Sequence, residues 1–310
     1  MLNDGVQSAF SINSAFSLQN SAMERIRTYA SFVRFSHSVF ALPFALTGAL
    51  LALHRLNDWA AVTIAERLVW IVVAMVTARS AAMGFNRLAD ASHDALNPRT
   101  AMRELPRGVM TRTEARVFIV VSSVLFVVAA WRLGPICLVL SPVALAIVFW
   151  YSLAKRFTNF TQFFLGLAMA VAPVGGWLAA GGRGGFEPWL LAAAIGTWVG
   201  GFDVLYACQD LEFDRAHGLR SIPVRFGVAR SLFISRVMHV ITVLCLAALG
   251  PLARLGPIYL AGVAGVAVLL AYEQSLVRAD DLSQVKRAFD LNGYVGLLYL
   301  AATAAAMYAH

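Results

Sequence analysis

Residues 68–94 read LVWIVVAMVTARSAAMGFNRLADASHD. The first part of this stretch, residues 68–89, is mostly apolar, and about 20 such residues in a helix cross the roughly 30 Å hydrocarbon core of a membrane. Its end is polar and carries two carboxylates, Asp90 and Asp94. The stretch therefore predicts a membrane-spanning helix that ends in acidic side chains.

The composition of the whole chain also indicates an integral membrane protein. Hydrophobic residues make up 59% of the 310 residues and charged residues 14%, and the mean hydropathy is +0.70. Soluble proteins average about 45–50% apolar and about 25% charged residues. So few polar side chains do not cover a soluble surface, and the same composition excludes a disordered chain.

Nine apolar runs are long enough to span a membrane. They lie near residues 35–54, 68–89, 115–131, 134–153, 161–180, 188–209, 231–250, 255–275 and 292–309. Because the runs are continuous and lack the alternation of barrel strands, we predict an all-α protein of nine transmembrane helices. Residues 1–310 would form one membrane-embedded domain, with a polar, interfacial segment at 1–30.

The basic residues concentrate in alternate loops, which predicts the orientation. The N-terminus and the loops near 90–116, 154–160, 210–230 and 276–291 hold most of the 25 Lys and Arg residues. The positive-inside rule places these loops in the cytoplasm, here of a bacterium with the chain in its inner membrane. Nucleic-acid binding is disfavoured, because the charge is spread over short membrane loops.

Two polar clusters follow apolar runs on this cytoplasmic side. Asn86, Asp90 and Asp94 are spaced i, i+4, i+8 and so share one face of a helix. The same spacing recurs after the sixth run: Tyr206, Asp210 and Asp214, with Asp203 one turn earlier.

Facing carboxylates at membrane helix ends indicate a bound cation, because buried acids are costly without one. Mg²⁺ is suitable, since it is held by oxygen ligands and substrate phosphates. The cationic side chains near the clusters are Arg99, Arg103, Lys155 and Arg225. Arginine binds phosphate through its planar fork, although arginines in cytoplasmic loops are also expected from topology alone. We predict a diphosphate site held by Mg²⁺.

Three stretches resemble the motifs of the UbiA superfamily of intramembrane aromatic prenyltransferases. Residues 86–108 read NRLADASHDALNPRTAMRELPRG, residues 203–221 read DVLYACQDLEFDRAHGLRS, and residues 151–158 read YSLAKRFT. The resemblance implies a helical bundle with a central cavity open to the cytoplasmic face. It also implies Mg²⁺-dependent transfer of a polyprenyl group from a polyprenyl diphosphate to an aromatic acceptor, with the tail lying between helices or reaching the membrane lipids.

The resemblance implies a role for each motif residue. The metal would be held by Asp90, Asp94, Asp210 and Asp214. The substrates would be bound by Asn86, Arg99, Arg103, Tyr151, Lys155, Tyr206 and Arg225. The ring proton would be taken by a carboxylate, for which Asp203 is the candidate, or by the released diphosphate; Asp203 could alternatively help to orient the metal ligands.

Two branches of the superfamily are similar to this chain. Residues 206–210 and 221–227 resemble the 4-hydroxybenzoate polyprenyltransferases. Residues 35–44, 79–85 and 203–210 are closer to a branch that prenylates a dihydroxynaphthoate on the futalosine route to menaquinone. We expect an aromatic carboxylic acid acceptor in ubiquinone or menaquinone biosynthesis, with a lipid-ether or haem acceptor as the alternative.

Two further residues, Arg79 and His37, each have two predicted roles. Arg79 lies two turns before Asn86, where it either binds the carboxylate of the acceptor or pairs with an aspartate of the clusters. His37 either donates a hydrogen bond to the acceptor or caps the entry of the chain into the membrane. His93 and His217 lie beside acids at the interface, and we predict that both are solvated.

A secondary transporter is the alternative from another functional class. Asp90 and Asp210 are 120 residues apart, as are Asp94 and Asp214, which suggests the internal repeat typical of transporters. Transporter sites usually lie near the bilayer midplane. The acids of this chain gather at one face beside arginines, which favours an interfacial enzyme.

Overall fold

The computed structural model describes residues 25, 28–29, 31–33, 41–57 and 61–309. Its helices are α1 (Leu42–Leu56), α2 (Ala61–Leu96), α3 (Arg112–Leu133), α4 (Pro135–Trp150), α5 (Thr161–Ala179), α6 (Glu187–Ala207), α7 (Leu211–Ala216), α8 (Ile222–Leu252), α9 (Gly256–Leu276) and α10 (Val285–Tyr308). Two 3₁₀ helices follow α4 and α6: Tyr151–Arg156 and Cys208–Asp210. Within these ranges the chain has no β-strand, as predicted. His37 and most of segment 1–30 lie outside the described residues.

Seven helical segments of the described part are long and apolar enough to cross a membrane. They are Ile64–Leu96, Arg112–Leu133, Pro135–Arg156, Thr161–Ala179, Glu187–Ala216, Ile222–Leu252 and Gly256–Leu276. The other two predicted runs overlap α1 and α10, which do not meet this criterion. α1, for example, has only 15 residues. Seven spans are therefore supported, and nine stays a prediction.

The bundle is held together by close contacts between helix backbones. Glu187–Ala216 is the most buried of the seven segments, and α6 within it packs against α5 and α8. A Cβ on Gly166 of α5 would collide with the backbone of Gly196 in α6, and one on Gly48 of α1 would collide with Pro173 of α5. Small residues allow membrane helices to approach this closely. These contacts join α1, α5 and α6.

Helix caps end the two loops that follow the acidic clusters. At the start of α3, the Thr111 hydroxyl accepts a hydrogen bond from the Glu114 amide, and the Glu114 carboxylate accepts one from the Thr111 amide. At the start of α8, the Ser221 hydroxyl accepts a bond from the Val224 amide at 3.4 Å. Such caps satisfy amides that have no partner inside the helix. Each loop therefore has a fixed end next to the clusters.

Candidate active site

The C-terminal end of α2 and the junction of α6 with α7 meet around a cavity of about 280 Å³, named the polar pocket here. Twelve residues predicted for the site line it: Arg79, Asn86, Asp90, Asp94, Arg99, Arg103, Tyr151, Lys155, Asp203, Tyr206, Asp210 and Asp214. The fold thus brings the two predicted clusters together.

Arg225 is not among the residues that line the pocket. The Arg225 guanidinium instead lies over the rings of Phe160 and Phe226, 5.9 and 5.4 Å from their centroids. The predicted role of Arg225 in substrate binding stays a prediction. His37 belongs to the part of the chain that the structure does not describe.

The two clusters differ in backbone geometry. α2 is continuous through Asp90, and the Asn86 amide donates a hydrogen bond to the Asp90 carboxylate at 3.3 Å, one turn away. The second cluster is interrupted by the 3₁₀ helix Cys208–Asp210. The expectation of one regular helix through Tyr206 and Asp214 was therefore wrong, because a 3₁₀ turn is tighter than an α turn. Both residues nevertheless line the polar pocket.

Arg99 links the loop after α2 to the second cluster. Its Nε and Nη2 donate to the two carboxylate oxygens of Asp210 at 3.0 and 2.6 Å. Its Nη1 donates to the Tyr206 hydroxyl at 2.8 Å. Burial of the guanidinium opposes its charge, but the adjacent Asp210 carboxylate more than offsets this and holds the pKa of Arg99 above its ordinary value.

Arg103 makes the corresponding contact with the first cluster. Its Nη1 lies 2.7 Å from both carboxylate oxygens of Asp94. The Thr100 hydroxyl donates to the Asp94 carbonyl at 3.1 Å, and the Asn97 side chain accepts a bond from the Arg99 amide at 3.0 Å. The loop is thereby folded back over the end of α2, and each cluster has one arginine paired with a carboxylate.

Lys155 is the cation that lies among the carboxylates. The 3₁₀ helix Tyr151–Arg156 carries it into the polar pocket. Its ammonium group interacts electrostatically with aspartates of both clusters: Asp90, Asp203, Asp210 and Asp214. One lysine thus offsets part of the negative charge that the two helix ends bring together.

A buried carboxylate oxygen of the pocket has no hydrogen-bond partner within the described structure. It is the buried Oδ2 of Asp214. Among the described residues, no group of three or more His, Cys, Asp or Glu side chains is arranged to hold a metal by itself. A cation at this position would therefore need ligands from elsewhere, such as the oxygens of a bound phosphate.

Some residues that line the pocket were not predicted from the sequence, or were predicted to lie in a different environment. His93 was expected to be solvated, but it lines the polar pocket and its Nδ1 is buried without a hydrogen-bond partner in the described chain. His217 is exposed, as expected. Gln162 of α5 and Phe289 of α10 also line the pocket. Neither belongs to a motif, so only the tertiary structure identifies them.

A second cavity, of about 720 Å³, adjoins the polar pocket and is named the apolar cavity here. The two cavities share five lining residues: Arg79, Met83, Tyr151, Leu165 and Met169. Beyond these, its walls are mainly apolar side chains of α2, α4, α5 and α6. Phe163 and Trp189 belong to its lining and are also 44% and 63% exposed. The apolar cavity therefore reaches the outer surface of the bundle.

Residues 41–301 match the UbiA prenyltransferase family. The chain belongs to this family. It is 32% identical over 231 residues to the 4-hydroxybenzoate octaprenyltransferase of Vibrio parahaemolyticus, a match that covers 74% of this chain and 81% of the relative. The enzyme of the same name from Cronobacter sakazakii is 32% identical over 233 residues, or 74% of this chain and 80% of the relative.

Solved UbiA structures share the fold. A UbiA homologue from Aeropyrum pernix K1 matches with a TM-score of 0.78 and 33% identity, over 86% of this chain and 96% of that one. A homologue from Archaeoglobus fulgidus, bound to DMAPP and Mg²⁺, matches with a TM-score of 0.68 and 19% identity, over 91% of this chain and 100% of that one. This UbiA protein is therefore a membrane prenyltransferase, and the transporter interpretation is set aside.

Proposed function

We propose that this prenyltransferase transfers a polyprenyl group from a polyprenyl diphosphate to a ring carbon of an aromatic carboxylic acid in quinone biosynthesis. Its pocket would face the cytoplasm from a bacterial inner membrane. The junction of the two cavities is the observation that carries the proposal. A charged pocket opens at Arg79 and Tyr151 into an apolar cavity, and a prenyl diphosphate likewise joins a charged head to an apolar tail.

The residues of the polar pocket fit Mg²⁺. Mg²⁺ ions would be held by the two clusters, with Asp90 and Asp94 on one side and Asp210 and Asp214 on the other. Mg²⁺ is usually bound by one or two carboxylates together with substrate phosphates, and the unpartnered Oδ2 of Asp214 is free to take part. When bound, the ion supplies Lewis-acid stabilisation of the charge on the leaving diphosphate.

Three cationic side chains would bind the diphosphate. Arg99 and Arg103 already contact carboxylates of the pocket through charge-assisted hydrogen bonds, and Lys155 lies among the aspartates. Fixed cations of this kind stabilise negative charge where it grows in the transition state. Asn86, through its contact with Asp90, would orient one of the metal ligands.

The allylic cation that remains after diphosphate leaves needs a surrounding that excludes water. Aromatic faces attract cations, and three rings of the pocket lie side by side. The Phe289 centroid is 5.0 Å from that of Tyr206 and 5.5 Å from that of Phe202. The acceptor ring would attack the cation from this space, and the nearby Asp203 would take the proton that the ring loses.

Arg79 would bind the carboxylate of the acceptor. Its Nε is buried and has no hydrogen-bond partner within the described chain. The ion pairs among the described residues do not include Arg79. This supports acceptor binding over pairing with an aspartate, because the Nε can still donate a hydrogen bond to a ligand.

The acceptor itself is either 4-hydroxybenzoate or a dihydroxynaphthoate. The names of the curated relatives support the first, whereas the sequence stretches 35–44 and 79–85 support the second. Both molecules carry the carboxylate that Arg79 would bind and a hydroxyl group that makes the ring electron-rich. The experiment below therefore tests both acceptors.

The decisive experiment gives purified protein farnesyl or geranylgeranyl diphosphate, Mg²⁺ and either 4-hydroxybenzoate or 1,4-dihydroxy-6-naphthoate. We expect a prenylated product by mass spectrometry that is lost without Mg²⁺ and in Asp90→Ala and Asp210→Ala, with both variants still folded. Asp280→Ala removes an exposed carboxylate outside the pocket and should retain activity. Near-normal activity in both pocket variants would refute the metal site, and prenylation of neither acceptor would point to a lipid-ether or haem acceptor.

A further inference from the structure

Two adjacent glycines of α5, Gly175 and Gly176, line the apolar cavity but have different surroundings. A Cβ on Gly176 would collide with the backbone of Ala45 in α1, so the packing of α1 against α5 requires glycine there. A Cβ on Gly175 would meet no atom within 4 Å. Gly175 lies inside α5, so its empty surroundings are not those of a glycine in a turn.

Glycine at position 175 is therefore not explained by the fold. Glycine destabilises the interior of a helix relative to alanine, because it loses more backbone freedom on folding. Gly175 has neither a left-handed backbone nor a close neighbour that would require it. The absence of a side chain at Gly175 leaves open volume in the apolar cavity.

The position of Gly175 along α5 shows which part of a bound tail would pass it. Met169 is the last residue of α5 that both cavities share. Gly175 follows it by six residues, or about 9 Å along the helix axis at the usual rise per residue. A tail whose diphosphate occupies the polar pocket passes Met169 first, and only longer tails extend as far as Gly175.

We propose that Gly175 sets the length of prenyl tail that the apolar cavity accepts. The absent side chain leaves room for the isoprenoid units that lie beyond Met169, and a side chain at this position blocks their path. The proposal rests on the function proposed above and adds to it a residue that determines donor specificity.

The test compares donors of increasing length, namely dimethylallyl, geranyl, farnesyl and geranylgeranyl diphosphate, with one acceptor. In Gly175→Leu we expect kcat/KM to be unchanged for dimethylallyl diphosphate and to fall by about tenfold or more for geranylgeranyl diphosphate, a factor equivalent to 1.4 kcal/mol. Ala304→Leu is the matched control. It adds the same side chain at an exposed position of α10 and should leave the length profile unchanged.

Gly175→Ala adds only one methyl group and should shift the profile less, in the same direction. It also provides the test if the leucine variant fails to fold. An unchanged profile in the folded variants, or an equal loss with every donor, would overturn the proposal. Absence of transfer by the unmodified protein from any donor would instead refute the proposed function, so the two failures are distinguishable.

Discussion

At the level of single residues, Arg79 at the junction of the two cavities should govern acceptor recognition. Removing charge-assisted hydrogen bonds costs about 1.5–3 kcal/mol, so Arg79→Ala should lower kcat/KM for 4-hydroxybenzoate or the dihydroxynaphthoate by about 10- to 150-fold. Steady-state kinetics measure this loss. Phenol lacks the carboxylate and serves as the control acceptor. A parallel loss with phenol would contradict the assignment and indicate a structural role.

The pocket residues of α2 were predictable because one continuous helix places i and i+4 neighbours on the same face, as the bond between Asn86 and Asp90 confirms. His93 was not predictable in this way. Whether the end of α2 is covered depends on the loop that folds back over it, where Thr100 bonds to the Asp94 carbonyl. Arg225 is close to the second motif in sequence, but the motif does not indicate that its guanidinium lies over the rings of Phe160 and Phe226.

At the level of helices, the contact of α5 with α6 should depend on the absence of a side chain at Gly166. A Cβ there would collide with the Gly196 backbone, and overpacking typically costs about 1–3 kcal/mol. Gly166→Ala should therefore lower the midpoint of thermal unfolding in detergent. Gly175→Ala on the same helix should not lower it, since its surroundings are empty. Equal midpoints for the two variants would contradict this account of the packing.

Helix boundaries were only partly predictable from apolar runs. The predicted apolar runs coincide with the long helices of the described residues, because a helix that crosses the hydrocarbon core needs a continuous apolar stretch. Hydropathy did not indicate the 3₁₀ helix Cys208–Asp210, since Cys208 and Leu211 continue the apolar pattern across the break. Nor did it show that α1 has only 15 residues. Both features depend on how neighbouring elements pack and are not encoded in local composition.

For the whole molecule, the fold places the polar pocket and the basic loops at the same end of the bundle. α5 begins at the polar pocket with Thr161 and Gln162, and α6 runs back from Glu187 to reach the pocket at Tyr206 and Ala207. The short loop between them therefore lies at the opposite end of the bundle. The basic loops lie at the pocket end, which the positive-inside rule assigns to the cytoplasm.

This orientation can be tested by thiol labelling of two cysteine variants in a background without Cys137, Cys208 and Cys245. Arg112→Cys introduces a thiol at the pocket end of α3, and Phe186→Cys introduces one at the opposite end, where Phe186 is 77% exposed. In bacterial cells without an outer membrane, a membrane-impermeant maleimide should label Phe186→Cys directly and Arg112→Cys only after permeabilisation. Both variants should retain prenyl transfer, since neither residue lines the polar pocket or the apolar cavity. The reverse labelling pattern would place the polar pocket on the outer face and contradict a cytoplasmic site, because the arginine-rich loops would then lie where the positive-inside rule disfavours them.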